Sequence, residues 1–224
     1  MAVEHEVAVL ARGVRLGGTL AIPDGARGLV VFAHGSGSSR HSPRNRSVAY
    51  SLRMAGLGTL LFDLLTEDEE AEDEVTGALR FDIDFLARRL GDVTDWVFTR
   101  PELRGLALGY FGSSTGAAAA LVAAADRPDV IGAVVSRGGR PDLAGGALER
   151  VRAPTLLIVG GADGVVVDLN RQALDRLLSP RSLEVIPGAT HLFEEPGALA
   201  RVAELAAGWF TQCLGGALRR DTHP

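Results

Sequence analysis

Lysine is absent from this 224-residue chain: all 23 basic residues are arginine. Schiff-base chemistry, a Ser–Lys dyad and the usual P-loop each need a lysine amine and are excluded. Acid–base work must fall to histidine, carboxylates or tyrosine. Cysteine is nearly absent too. Cys213 is the only one, which rules out an intrachain disulfide and a cysteine metal cluster. Its place late in a C-terminal amphipathic pattern reads as packing. No apolar run reaches the roughly 20 residues that a bilayer span requires. The acidic start, Met1-Ala2-Val3-Glu4-His5-Glu6, lacks the basic and then apolar order of a signal peptide. A cytoplasmic protein without a membrane partner is expected. A net charge of -5 leaves no dense basic face for phosphates, which argues against nucleic acid.

The remaining composition, 46% hydrophobic and 23% charged, is that of a globular protein, and the length suits one domain with a full core. That domain is expected over residues 1–214, with a frayed tail over 215–224. Residues 6–11 and 14–22 read as two strands joined by a turn at Arg12-Gly13. Short apolar runs at 29–33, 58–62, 106–111, 131–135, 155–159 and 183–186 read as strands buried on both faces. Helical patterns lie between them at 47–55, 117–125, 170–178 and 197–214. The longest, at 81–97, carries a stripe of Phe81, Phe85, Leu86, Leu90, Val93 and Val97. Residues 67–74, all carboxylates but for Ala71, read as a solvated loop or helix start. The alternation predicts an α/β fold: about eight strands in one mostly parallel sheet, with helices on both faces.

Ligands in such sheets bind beyond the carboxyl ends of the strands. Three reactive side chains fall there. Ser114 lies in Gly112-Ser113-Ser114-Thr115-Gly116, the pattern G-x-S-x-G, between an apolar run and an alanine-rich one. A serine at a sharp strand-to-helix turn holds its Oγ out of the sheet, and flanking glycines let the backbones pass. Asp163 follows the strand at 155–159 through Gly160-Gly161-Ala162, and His191 follows the strand at 183–186 through Pro187-Gly188-Ala189-Thr190. The order Ser, Asp, His supplies a nucleophile, an orienting acid and a base. Asp168 competes for the acid role but lies nearer the following helix.

The segment His34-Gly35-Ser36-Gly37 directly follows a strand. The backbone N–H of Ser36, with that of Thr115 at a helix start, is expected to form an oxyanion hole. His34 then braces the loop. Read as a dinucleotide fingerprint the loop fails, because Arg40 stands at the third glycine position. His34 and His41 lack a third ligand at suitable spacing, so no metal is expected. His5 and His223 are peripheral.

On these motifs the chain resembles the α/β-hydrolase superfamily, and within it the small, cap-free members of the dienelactone hydrolase-like group. The segments that carry the likeness are Val30 through Gly37, Gly109 through Gly116, Ile158 through Asp163 and Pro187 through Phe193. The resemblance implies a Ser114–Asp163–His191 triad, an oxyanion hole from Ser36 and Thr115, and no cofactor. Dienelactone hydrolases proper carry a cysteine nucleophile. Ser114 in its place favours the serine esterases of the group over a lactone substrate.

Only residues 136–152 separate the sixth and seventh strands, too few for a cap. An open site for small to medium esters is expected, with residues 64–80 a candidate flap. Arginines fall in loops at the strand ends: Arg40, Arg44 and Arg46 after the third strand, Arg137 and Arg140 after the sixth. Surface pairing, for example of Arg140 with Asp142, is one reading. The other is that Arg40, Arg137 or Arg140 binds an anionic group on the ester. Thioesterase, lactonase or amidase activity on the same triad remains open, as does a non-catalytic hydrolase-like scaffold that only binds a ligand. The oligomeric state, a homodimer included, is also open.

Overall fold

A computed structural model describes residues 2–215. Of the tail expected over 215–224, all but Gly215 lies outside the described residues, as does His223. Eight strands form one sheet in the order β1-β2-β4-β3-β5-β6-β7-β8. They are β1 His5–Ala11, β2 Val14–Ala21, β3 Gly28–Ala33, β4 Gly58–Phe62, β5 Ala107–Ser113, β6 Ile131–Arg137, β7 Thr155–Gly160 and β8 Arg181–Ile186. β2 runs antiparallel to both β1 and β4, and every pairing from β4 to β8 is parallel. This is the mostly parallel α/β sheet expected from the alternation of apolar runs and helical patterns, and the α/β-hydrolase architecture that the resemblance implies.

Six α-helices accompany the sheet: α1 Pro43–Met54, α2 Glu67–Thr76, α3 Ile83–Thr99, α4 Thr115–Asp126, α5 Gly164–Arg176 and α6 Ala198–Leu214. α1 and α6 cover one face, packing Val48, Leu52, Val202 and Phe210 on Val30, Phe111 and Val135. α3 and α4 cover the other, against Leu29, Val31, Leu108 and Val134. The central strands β3 and β4 are buried at every residue, which is why they read as unbroken apolar runs. α4 is buried along nearly its whole length, and its alanines let it lie close to the sheet. Between β6 and β7 the chain makes only 3₁₀ turns over Pro141–Arg150, packed on α4 and α5. No cap is built there. No described helix is long and apolar enough to cross a membrane.

Several helix starts differ from the sequence expectation, each for a local reason. α1 begins at Pro43, capped by the Ser42 hydroxyl, so Arg44 and Arg46 sit in its first turn rather than in a loop. α3 begins at Ile83, where the Asp82 carboxylate accepts the Phe85 N–H at 2.9 Å. Phe81 is left exposed in a 3₁₀ turn and is not part of the buried stripe. α5 begins at Gly164. The β-branched run Val165-Val166-Val167 hides that start from propensity, and packing overrides it. The acidic run is a helix, α2, closed by a capping box between Thr66 and Glu69 and by Gly77 in the left-handed region.

Candidate active site

β5 ends at Ser113 and α4 starts at Thr115, so Ser114 alone makes the turn between them. Its φ of 51° and ψ of -121° are strained for a residue with a Cβ, at a typical cost of about 1–3 kcal/mol. The surroundings enforce it. The Ser114 N–H donates to Arg137 O at 3.3 Å, and Ser114 O accepts the Arg140 N–H at 3.1 Å. A Cβ on Gly112 would run into the Ala117 backbone, and one on Gly116 would overlap the carbonyl oxygens of Ala33 and His34. Only glycine lets α4 leave the turn so close to β3 and β5.

Ser114 and Asp163 both occupy N-cap positions, of α4 and α5, yet neither side chain caps its helix. N-cap serine and aspartate normally spend their oxygens on that bond, typically worth about 1 kcal/mol. Here both oxygens are left for other partners. Asp163 Oδ2 accepts a hydrogen bond from His191 Nδ1–H at 2.8 Å. In the neutral ring that bond selects the tautomer whose Nε2 carries the free lone pair. The imidazole lies over the end of β6, the strand next to β5: a Cβ on Gly138 would stand 3.6 Å from His191 Cε1. Among the described residues no hydrogen bond joins Ser114 Oγ to His191. Asp168 pairs instead with Arg171 on the exposed surface of α5.

The loop after β3 is held from two sides. His34 is buried; its Nδ1–H donates to Gly35 O at 3.0 Å, and its Nε2 accepts the Leu64 N–H at 3.0 Å. Burial lowers its pKa, outweighing the Gly35 carbonyl and the charges of Asp63 and Glu70. A neutral imidazole thus ties the loop to the segment after β4. On the other side the Ser36 N–H donates to Thr115 Oγ1 at 3.1 Å. The two residues expected to supply oxyanion donors are therefore joined through the threonine side chain, and the Ser36 N–H is already occupied. No sequence signal points to this bond, because only the fold brings residue 36 to residue 115.

The three candidate substrate arginines have different surroundings. Arg40 is spent: its N–H donates to Asp63 Oδ1 at 2.8 Å, and its guanidinium pairs with Asp63 and Glu6. Arg140 forms a two-pronged pair with Asp142, at 2.9 and 2.7 Å. Arg137 is 7% exposed and makes no side-chain hydrogen bond or ion pair among the described residues.

A cleft of about 200 Å³ opens between the 34–39 loop, Thr115 and α2. Its far wall is the 64–80 segment, the candidate flap. That wall is tied down. Asp73 is buried; Oδ1 accepts the N–H groups of Leu79 and Arg80, and Oδ2 accepts Arg80 Nε–H at 2.6 Å. Burial would raise the Asp73 pKa, but these bonds lower it. Arg89 of α3 grips Glu69 with both terminal nitrogens. No cluster of histidine, cysteine and carboxylate side chains among the described residues could hold a metal ion.

Known proteins share this fold. The family model described as "Dienelactone hydrolase family" matches residues 16–214. A solved dienelactone hydrolase from Anabaena variabilis is 58% identical, superposes with a TM-score of 0.94, and is matched over 95% of this chain and 99% of its own. Est1E from Butyrivibrio proteoclasticus is 16% identical with a TM-score of 0.78, over 94% and 99% of the two chains, and shares the fold. Curated relatives from Mycobacterium tuberculosis are 58% identical over 213 residues, which is 95% of this chain and 47% of theirs. Their name provisionally assigns them to the phosphoribosyl transferases; the chain spans about half their length. Over residues 16–214 this chain belongs to the dienelactone hydrolase family.

Proposed function

We propose that the chain is a serine hydrolase that cleaves small to medium carboxylic esters in the cytoplasm through an acyl-enzyme on Ser114. The observation that carries this reading is the 2.8 Å bond between His191 Nδ1 and Asp163, held beside a strained serine at the neighbouring strand end. His191 Nε2 takes the Ser114 proton as Oγ attacks the ester carbonyl, then returns it to the departing alcohol. Asp163 keeps the imidazole oriented and stabilises the imidazolium. Water, activated by the same nitrogen, then attacks the acyl-enzyme and releases the acid.

The negative oxygen of the tetrahedral intermediate is stabilised by the Thr115 N–H at the head of α4 and by the Ser36 N–H. The second donor swings from the Thr115 hydroxyl toward the oxyanion, or is shared with it. One such donor is worth about 3 kcal/mol in comparable sites. The open cleft and the short connection between β6 and β7 suit substrates that enter without interfacial activation.

Labelling with a fluorophosphonate probe tests the reading directly. The wild-type chain should label at Ser114. Ser114→Ala should not label, and should lose about 10⁴–10⁶-fold in kcat. Matched ester, thioester and amide substrates separate the neighbouring acyl-transfer activities. A chain that neither labels nor hydrolyses any of them is the hydrolase-like binding scaffold. The transferase name of the Mycobacterium tuberculosis relatives describes proteins about twice as long, and the site geometry of the shared half favours acyl transfer.

A further inference from the structure

Asn170 is a fully buried amide in a stripe that is otherwise apolar. It shares the covered face of α5 with Val166 and Ala173. Its Nδ2 donates to Val166 O at 2.8 Å and to Gly139 O at 3.0 Å. Its Oδ1 is buried without a hydrogen-bond partner among the described residues. Burying an amide oxygen unpaired is unfavourable. Leucine has nearly the same shape and no such oxygen, so packing alone does not account for asparagine at this position. The Gly139 bond is what leucine would lose.

Among the described residues this is the only hydrogen bond from another side chain to the backbone of residues 138–140. That segment touches both ends of the proposed triad. On one side it brackets the serine: Arg137 O, just before it, accepts the Ser114 N–H at 3.3 Å, and the Arg140 N–H donates to Ser114 O at 3.1 Å. On the other it lies against the base: a Cβ on Gly138 would stand 3.1 Å from the His191 carbonyl oxygen and 3.6 Å from His191 Cε1. A Cβ on Gly139 would collide with the Ser136 hydroxyl and the Ala117 methyl of α4, so no larger residue fits. Two adjacent glycines leave a chain free to take other backbone angles, and the Asn170 amide selects one set. The same helix starts from Asp163, roughly two turns earlier. α5 thus carries the orienting carboxylate at its head and a grip on the serine turn on its buried face.

We propose that Asn170 is a positioning residue: through the Gly139 carbonyl it holds the Gly138–Arg140 segment, and with it Ser114, in register with the His191–Asp163 pair. The inference rests on the serine-esterase reading above and adds to that site a residue that touches neither substrate nor triad. Without the amide the two glycines relax, Ser114 loses part of what enforces its strained angles, and Oγ moves relative to His191 Nε2. The cleft beside the 34–39 loop contains no residue of this segment, so the loss falls on kcat rather than on KM.

Two variants test it. Asn170→Leu keeps the shape and removes both bonds. Asn170→Ser keeps a hydroxyl that reaches Val166 O within the helix but is too short for Gly139, and it serves if the leucine variant fails to fold. On a simple ester each should lose about ten- to hundredfold in kcat, the size of a displacement of about 1 Å at the reacting atoms, with KM nearly unchanged and fluorophosphonate labelling slowed in parallel. Wild-type kcat in both variants, or a loss carried wholly by KM, overturns the proposal. A second readout needs no turnover. Amide hydrogen exchange at Ser114 and Arg140 should speed up about tenfold or more in either variant, while the amides of β3 and β4 keep their wild-type rates. Unchanged rates at Ser114 and Arg140 reject the grip on the serine turn, and uniform acceleration through the sheet assigns Asn170 to general stability instead. If the wild type neither labels nor hydrolyses any ester, the esterase reading falls, and the exchange rates still decide whether Asn170 holds the turn.

Discussion

Thr115 Oγ1 accepts the backbone N–H of Ser36 at 3.1 Å, so the residue after Ser114 holds the loop after β3 by its side chain. In the proposed mechanism this bond keeps the second oxyanion donor close to Ser114. Thr115→Val removes the acceptor and keeps the shape. We expect about a five- to tenfold loss in kcat on a simple ester, the size of one ordinary hydrogen bond, with KM changed less. Thr115→Ser, which restores the hydroxyl, should recover most of the loss. Steady-state kinetics on the two variants decide the point; equal defects in both would show that the methyl group, not the hydroxyl, matters.

His34 gives a stability prediction with a sign. In the fold its pKa is lowered below the ordinary 6.5 by burial, since its Nε2 accepts the Leu64 N–H and has no room for a proton. The unfolded chain protonates near 6.5 and the folded chain does not. The stabilisation is therefore complete above that pH and is lost as pH falls toward the folded-state value. Melting temperature should drop on acidification below about pH 6.5. In His34→Gln the baseline should be lower and that part of the slope should vanish. An unchanged slope would mean that another group governs the acid limb.

Much of this site is legible in the sequence, for a physical reason. Parallel strands buried on both faces leave short apolar runs, and whatever follows such a run lies at the sheet's carboxyl edge. Ser114, Asp163 and the 34–37 loop follow that rule, whereas His191 follows β8, an edge strand that is only partly buried and not covered on both faces as its apolar run suggests. Contacts made by the fold alone are not legible. Ser36 and Thr115 are expected at one site, but nothing in composition or spacing foretells the bond from the Ser36 N–H to the Thr115 hydroxyl, or that from the Leu64 N–H to His34. The buried Asp73 is lost inside an acidic run that reads as solvated, although Gly77 and Arg80 downstream are the signs of a turn folding back on it. The arginines read alike in sequence. Only their partners set them apart: Asp63 for Arg40, Asp142 for Arg140, and no carboxylate among the described residues for Arg137.

Asp73 supports the far wall of the cleft. Asp73→Ala strands the N–H groups of Leu79 and Arg80 and leaves the Arg80 guanidinium without its carboxylate. Arg80 is itself partly exposed, and removing a hydrogen-bonding partner at such a half-buried site typically costs about 1–3 kcal/mol. Because the Asp73 pKa is depressed in the fold, its contribution is present above the ordinary carboxylate range and is lost as pH falls through the folded value. Denaturant unfolding of Asp73→Ala should show the loss at neutral pH and a smaller difference from wild type in acid. Hydrogen exchange should speed up across residues 67–81. A variant as stable as the wild type, with protected amides there, would show that α2 is held by Arg89 and Glu69 instead.

Asp163 and Asp168 lie five residues apart and offer a paired test of the proposed triad. Asp163 abandons the cap of α5 to receive the His191 Nδ1–H, whereas Asp168 pairs with Arg171 on the surface. In Asp163→Asn the new amide can donate to Nδ1, which forces the proton onto Nε2 and leaves no base facing the serine. The corresponding change in other triads costs about 10⁴ in kcat, and a loss of that order is expected for this chain, with the fold intact and fluorophosphonate labelling slowed in parallel. Asp168→Asn should retain wild-type kcat, because an exposed pair of this kind contributes little. The opposite pattern, with Asp168→Asn inactive and Asp163→Asn normal, would assign the orienting carboxylate to α5 and break the link between His191 and catalysis.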